Sequence, residues 1–558
     1  MGKKIFSILN REWNGLHEAA FLLGFFAILS QVLGLLRDRL LAHAFGAGST
    51  LDIYYASFRI PDFMFAGVAS FMSALVLIPI FSRLAREGDK RIQKFLNDTF
   101  TVFFGVIILV SIAVFMATPY LIHTFFPAFG GEAEGNLILM TRVMLLSPIL
   151  LGLSNLLGSL TQMLNRFFAF ALAPLLYNLG IILGAVLFYP AFGIVGLAMG
   201  VVVGAFLHFF LQFFVISRSG FSLSFSLMPS LSDIGEVLRV SLPRTFGLSA
   251  NQIAFFTLVA LAARMEQGSV TILNLGFNLQ SVPLAVIGIS YATAAFPVLS
   301  KHFAARDIPK FVEQIATAMR HIIFWSLPML VLFIVLRAQI VRTILGSGSF
   351  DWTATRLTAA VLAIFTISIV AQSLGLLFMR GFHATENNII PLTVNVCSSL
   401  AIVLGGLGFM ALYDHSLFFQ YFITTLFRVD NVEGAKVLVL PLAYSLGMLF
   451  NASLLIYLFR RRFGPFLRPL KDTFINDLFA SLVAGVVAYE FLEIFGLYLD
   501  LKTFLGIFMQ GFLAGIAGIL TWWIILELMG NIEIKEIRTA LTRKLWKAGV
   551  VIPDKEEI

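Results

Sequence analysis

A chain of 558 residues, 59% of them hydrophobic and 13% charged, with mean hydropathy +0.92, lacks the polar surface that a water-soluble domain of this size needs. The net charge of +8 is spread over short basic clusters between apolar runs, a placement that serves membrane topology and anionic lipid and excludes nucleic acid as a partner. A single cysteine, Cys397, excludes an intrachain disulfide framework and a cysteine-based metal site, and its apolar surroundings predict ordinary packing.

In chain order, Met1 to Trp13 carries Lys3, Lys4 and Arg11 ahead of an apolar stretch too long for a secretory h-region and without a small-residue cleavage site. Residues 1–16 are therefore read as a retained cytoplasmic leader. A hydrocarbon core about 30 Å thick takes about 20 apolar residues per helix. By that rule the spans are 17–45, 52–83, 98–124, 137–163, 167–189, 192–216, 236–264, 269–298, 313–345, 352–380, 387–413, 436–459, 474–497 and 503–529. The predicted fold class is an all-α integral membrane protein of 14 transmembrane helices, with no soluble domain left over.

Lys and Arg collect on alternate connections, as the positive-inside rule asks. Basic are the leader, the loop with Arg83, Arg86, Lys90, Arg91 and Lys94, the loop with Lys301, Arg306 and Lys310, the run Arg460 to Arg462, and the C-terminal tail. The connections 47–50, 126–136 and 189–192 hold no Lys or Arg, so both termini are expected in the cytoplasm. The segment 414–435, with Phe418-Phe419-Gln420-Tyr421-Phe422, is placed outside, with an interfacial helix as its alternative.

An internal repeat organises these spans. Ile78-Pro79-Ile80-Phe81-Ser82-Arg83 recurs as Phe296-Pro297-Val298-Leu299-Ser300-Lys301, about 218 residues later. Leu157-Gly158 returns as Leu374-Gly375, and Pro174 with Asn178 returns as Pro391 with Asn395, at an offset of about 217. Chance similarity of proline-containing apolar helices is the alternative, and three matches in register stand against it. Two six-helix lobes in a parallel pseudo-two-fold repeat follow: an N-lobe at 17–216, a cytoplasmic linker at 217–235 and a C-lobe at 236–459. Two C-terminal spans at 460–529 form an appendage, and 530–558 is a cytoplasmic basic tail. Parallel repeats of this kind are an architecture of secondary transporters.

Charge inside a membrane costs on the order of 2.5–3.5 kcal/mol at a helix centre and so marks a cavity or pathway. The first two spans hold Gln31, Arg37, Asp38, Arg39, Asp52, Arg59 and Asp62. Asp52, Tyr55, Arg59, Asp62, Ser70 and Ser73 fall within about 80° of helical arc, with Pro61 bending the axis. Gln31, Gly34 and Asp38 share a face of the first span, with Arg37 at its flank, so the two spans can present opposed charge to one cavity. The competing reading is a network of Arg37, Asp38, Arg59 and Asp62 that neutralises itself, with Arg39 snorkelling to the outer interface. In the second half Arg244 follows Pro243, Asn251 and Gln252 come two turns later, and Asn278, Gln280 and Ser281 precede Pro283. Interhelical packing serves equally for Asn251 and Gln252, and interfacial snorkelling for Arg244. The substrate-binding candidates are Arg37, Asp38, Asp52, Arg59, Asp62, Arg244, Asn278 and Gln280. A membrane enzyme would need paired carboxylates for a metal or a histidine base beside an acid, and the pattern offers neither. No metal and no cofactor is called for, and His43, His123 and His208 read as interface or packing residues.

Ser30-Gln-Val-Leu-Gly-Leu-Leu-Arg37-Asp38, then Phe45-Gly-Ala-Gly48, Asp52 and Phe58-Arg-Ile-Pro61, resemble the MurJ (MviN) family of lipid II flippases. The similarity continues through Leu248-Ser-Ala-Asn-Gln252 and Val286-Ile-Gly-Ile289 to Phe296-Pro297-Val-Leu-Ser300. It implies fourteen helices, membership of the multidrug/oligosaccharidyl-lipid/polysaccharide exporter superfamily and transport by alternating access, with lipid II as substrate. Expected partners are that lipid-linked precursor, membrane lipids and other cell-wall synthesis proteins, and the expected state is a monomer in the bacterial inner membrane. The family's cationic cavity is matched by Arg37, and its aspartate opening the second helix by Asp52. The chain departs from the family at Gln31, Phe65 and Asn278, where arginines are usual, leaving Arg37, Arg59 and Arg244 to supply positive charge. The departures leave open another polyprenyl-linked glycan, or a drug/ion antiporter of the same superfamily. The sodium site of some members, built on helices seven, eleven and twelve, is not assigned, because the apolar parts of those helices hold no Asp or Glu.

Overall fold

The structure, a computed structural model, describes residues 16–466 and 470–547. Every regular element among them is helical. Lipid offers backbone groups no partner, and a helix pairs its N–H and C=O groups within its own segment. Most of the expected leader and the end of the expected tail lie outside the described residues.

The helices in order begin with α1 (Leu16–Phe45), α2 (Ser49–Ser57), α3 (Arg59–Val68), α4 (Ala74–Leu84), α5 (Asp89–Phe125), α6 (Glu132–Met144), α7 (Leu146–Met163) and α8 (Phe167–Leu183). Next are α9 (Tyr189–Phe192), α10 (Ile194–Arg218), α11 (Leu231–Ala262), α12 (Ser269–Pro283), α13 (Ser290–Ala304), α14 (Ile308–Val335), α15 (Arg337–Ile344) and α16 (Trp352–Ile367). The last are α17 (Ile369–Ala384), α18 (Ile389–His415), α19 (Leu417–Leu426), α20 (Val439–Phe463), α21 (Leu470–Tyr498), α22 (Phe504–Leu528) and α23 (Ile532–Lys547). Among the described residues ten helical segments are long and apolar enough to cross a membrane, and the pair α16 and α17, bent by 41°, makes an eleventh. The spans expected at 17–45, 52–83 and 236–264 fall on α1, on the series α2 to α4 and on α11.

The second of these is broken rather than continuous. Pro61 stands third in α3, where its missing N–H belongs to the unpaired first turn anyway. Ser73 is extended and separates a 3-10 turn, Ala69–Met72, from α4.

The chain divides into two compact units. One runs up to Leu279 and adds Ile344–Val361 and Asn388–Gly447; the other holds Gln280–Thr343, Leu362–Asn387 and the chain from Met448 onward.

In the first unit α8 and α10 meet backbone to backbone. A methyl group on Gly180 would stand 2.2 Å from the Gly204 Cα, and one on Gly200 2.4 Å from the Gly184 Cα. Small residues permit this approach, which between helices in lipid replaces the hydrophobic drive available in water. α1 packs on α8, and α11 packs on α18 and α3. Asn251 serves helix packing, its Oδ1 accepting the Ser399 hydroxyl at 3.3 Å. α19 is too short to span and keeps Leu417, Phe418, Tyr421 and Phe422 exposed, as a helix lying in the membrane interface does. Cys397 corrects an expectation: it is exposed on α18 beside the exposed Val396 and Leu400 rather than packed within the protein.

In the second unit Phe324 of α14 packs with Ala480 and Ala484 of α21 and Trp522 of α22. Trp522 Nε1 donates to Asp477 Oδ1 at 2.7 Å. Pro283 ends α12, and a π-helical turn, Leu284–Ile289, leads into α13.

Candidate functional site

α1 delivers Arg37 and Asp38 side by side in the first unit. Arg37 donates Nε and Nη2 to Asp38 Oδ1, at 2.9 and 2.8 Å, and Nη1 to Asn178 Oδ1 of α8 at 3.0 Å. Asn278 of α12 donates its Nδ2 to the other carboxylate oxygen at 3.0 Å. Asn178, Arg37, Asp38 and Asn278 therefore form one chain across three helices, with Asp38 buried and the Arg37 side chain 21% exposed. A buried carboxylate is tolerable only with such partners, because removing two charges from water costs several kcal/mol per ion.

Arg59 and Asp62 form a second group. The Arg59 Nε donates to Tyr55 O at 3.1 Å and its Nη2 to Asn274 Oδ1 at 3.3 Å, while the guanidinium lies 5.3 Å from the centre of the Phe255 ring. Asp62 Oδ2 is 3.7 Å from Arg59 Nη2 and is the more exposed partner. Phe255 is itself held against Phe277, with ring centres 4.4 Å apart, and Tyr444.

Asp52 has a different task. Its Oδ2 accepts the Gly268 N–H at 2.6 Å, and its Oδ1 accepts the Thr271 N–H at 2.8 Å and the Thr271 hydroxyl at 2.7 Å. These are the amides that a helix start leaves unpaired, so a carboxylate from α2 caps α12 at its positive end.

Of the remaining candidates, Gln280 belongs to the second unit, where its Oε1 accepts Gln372 Nε2 at 3.3 Å and its own Nε2 is buried without a partner among the described residues. Arg244 lies in α11, and its side chain is outside the described residues. Sequence reasoning missed Asn178, Asn274 and Phe255. Asn274 stands one turn before Asn278 on the same helix, and Asn178 marks the repeat in the sequence without indicating a charged partner.

Two cavities adjoin these groups. One, of about 420 Å³, lies along α1 and α8 and is lined by Ser30, Gln31, Gly34, Arg37, Pro174 and Asn178 among others. The other, of about 220 Å³, is lined by Pro61, Asp62, Phe65, Ser147 and Tyr177 among others. Gln31 and Phe65, two of the positions where the chain departs from the resembling family, thus line these cavities, and Asn278, the third, holds Asp38. Arg37 spends three of its five donors on Asp38 and Asn178, which leaves two N–H groups, and its side chain is among those that line the larger cavity. A planar fork of donors suits the oxygens of a phosphate.

The model of the family described as "Lipid II flippase MurJ" matches residues 41–509. The chain is similar to the lipid II flippase MurJ of Burkholderia cenocepacia, 25% identical over 402 residues that cover 70% of this chain and 78% of that protein. Its fold is similar to that of a solved lipid II flippase MurJ in an inward closed conformation, with TM-score 0.71 and 20% identity over 91% of this chain and 98% of the other. An inward-facing multidrug resistance transporter of the MATE family and MOP superfamily gives TM-score 0.64 at 16% identity, covering 78% of this chain and 94% of its own. With helices fit for a membrane throughout and a family match over most of its length, the chain is a multi-pass membrane protein that belongs to the MurJ family of lipid II flippases.

Proposed function

We propose that this protein carries the undecaprenyl-diphosphate-linked disaccharide-pentapeptide, lipid II, from the inner to the outer leaflet of the bacterial inner membrane by alternating access. No bond is made or broken. The two lobes, 17–216 and 236–459, rock against each other to expose the head group on alternate sides, while the prenyl tail stays in lipid. Both termini lie in the cytoplasm, which is what the alternation of Lys and Arg along the connections favours. The protein works as a monomer beside other cell-wall synthesis proteins.

Arg37 carries the proposal: a guanidinium at a cavity wall, one-fifth exposed, with two donors left over, is what a diphosphate entering a low-dielectric vestibule requires. Expression of the chain in a cell depleted of its own lipid II flippase tests it. Cross-linked wall should resume with the wild-type chain and stop with Arg37→Glu inserted at the same level. Failure of the wild-type chain, with insertion demonstrated, removes the assignment.

A second substrate is favoured by Gln31, Phe65 and Asn278, which the family resemblance reads as departures from its arginines. A cavity with fewer cations suits a polyprenyl-linked glycan with a less anionic head group. Competition between lipid II and such a glycan for the purified protein distinguishes the two.

A further inference from the structure

Between α10 and α11 the chain runs without helix along α5, and the contacts there form a ladder. Gln93, Asn97 and Thr101 stand at successive turns of α5, and each holds one serine of this strap. Gln93 Oε1 accepts the Ser222 N–H at 2.9 Å, Asn97 Oδ1 accepts that of Ser224 at 3.1 Å, and Thr101 Oγ1 accepts that of Ser226 at 2.8 Å. The ladder fixes direction: from Ser222 to Ser226 the strap advances two turns along α5, about 12 Å of helix axis. It starts level with Lys90 and Lys94, at the basic end, and heads toward the apolar stretch that begins near residue 98. After Leu227-Met228-Pro229 it turns back. Asp98 Oδ2 accepts the Ser230 N–H at 3.1 Å, and Asp233 pairs with Arg91 at 2.9 Å, at the basic end again.

The Ser224 hydroxyl accepts the Asn97 Nδ2 at 2.7 Å, Phe225 leans on Phe100 with ring centres 5.1 Å apart, and the tip stands clear, with Leu227 99% and Met228 87% exposed. Along α5 the ladder's face continues, at 3.6 residues per turn, to Phe115 and at its flank to Ile112, both exposed on a helix apolar enough to cross a membrane. The tip is therefore continuous with a surface that lipid covers.

We infer that residues 222–230 form a hairpin that dips into the membrane, with Leu227 and Met228 in the acyl-chain region of one leaflet and the exposed Lys90 and Lys94 at its head groups. The partner is a lipid surface rather than a protein. Two large apolar side chains at a turn, beside a lipid-facing stripe and below a cationic rim, match the composition of an interfacial anchor. The inference goes beyond transport of lipid II and needs only that α5 spans the membrane; under the orientation proposed above, the leaflet is the cytoplasmic one.

The test uses the full chain with Cys397→Ser, reconstituted in vesicles of phosphatidylethanolamine and phosphatidylglycerol. An environment-sensitive NBD label is placed on Leu227→Cys, on Met228→Cys, or on Ser222→Cys at the start of the ladder. Labels at 227 and 228 should emit further to the blue than the label at 222. They should be quenched several-fold more strongly by lipids brominated on the acyl chain and several-fold less by aqueous iodide. Equal access of iodide to all three labels overturns the inference. So does shielding that disappears when the protein is diluted in lipid, because that outcome identifies a second copy of the chain as the cover. The two tip positions report separately, so loss of one labelled variant leaves the other to decide. Depth is read whether or not the protein moves lipid II, which keeps this result apart from the transport assay.

Discussion

Asn278 and Asp38 meet across 240 residues of sequence: the Asn278 Nδ2 donates to one carboxylate oxygen at 3.0 Å while Arg37 occupies the other. The carboxylate is shared between a cation on α1 and an amide on α12, so the two substitutions that free it should differ in cost. Asp38→Asn leaves the Arg37 charge without its counterion and is expected to destabilise the protein by about 3 kcal/mol. Asn278→Ala removes the hydrogen bond to the Asp38 carboxylate and is expected to cost about 1.5 kcal/mol. Thermal unfolding of the purified variants in one detergent measures the order, and an equal loss for the two would show that Arg37 is not compensated through Asp38.

Charge and shape at Arg37 can be separated. Arg37→Lys keeps the positive charge but loses the planar fork that reaches Asp38 and Asn178 together. Lipid II translocation is expected to fall about tenfold with lysine and to be lost with glutamate, as judged by complementation and by binding of the substrate to purified protein. That tenfold step corresponds to about 1.4 kcal/mol, the scale of one charge-assisted hydrogen bond.

Asp52 caps the start of α12 with both oxygens. Asp52→Asn keeps one acceptor and is expected to lose about 1 kcal/mol, while Asp52→Ala leaves two buried N–H groups unpaired and should lose about 3 kcal/mol. Hydrogen exchange at Gly268 and Thr271 is the direct readout: protection there should drop in the alanine variant before other parts of the first unit respond.

The contact of α8 with α10 allows a sharper prediction. Gly180→Ala would drive a methyl group against the Gly204 backbone at 2.2 Å, where no side chain can swing aside. The helices must separate, at an expected cost of about 3 kcal/mol from overpacking. Gly130→Ala, which has nothing within 4 Å of the added methyl, is the matched control and should leave the melting temperature unchanged.

At the basic end of α5, Asp233 gives a dependence on pH. Burial pushes its carboxyl up, but hydrogen bonds from Arg91, the Arg91 charge and the Ser230 hydroxyl outweigh burial and hold it below its usual value. A carboxyl with a lower pKa in the folded state adds stability that is complete above the unfolded value of about 3.9 and is lost as pH falls through the folded value. Acidification below about pH 4 should therefore lower the melting temperature of the wild-type protein more than that of Asp233→Asn. A parallel decline of the two would leave the Arg91 pair without a role in acid stability.

Composition made the solvent of this chain legible, because apolar runs of membrane length leave few other folds. Pro61 gave warning that the second span bends, yet its division into short helices depended on Ser73 turning extended, a backbone choice that polarity does not encode. The Arg37 and Asp38 pair could be named from intramembrane charge alone. Its partners could not, since Asn178 and Asn278 arrive from 141 and 240 residues away and periodicity within one helix carries no information about such distances. Asp52 shows the same limit: its charge drew attention to it, but only the position of Gly268 and Thr271 reveals that the charge is consumed by a helix start.

The Asp52 cap also orders the birth of the protein. Synthesis makes this carboxylate 216 residues ahead of Gly268 and 219 ahead of Thr271. Until those residues emerge, an acid sits unpaired in the early portion of the chain; until they dock, the nascent α12 has bare amides at its leading turn. Each solves the other's problem, so the first-made portion acts as a template that the later one must find.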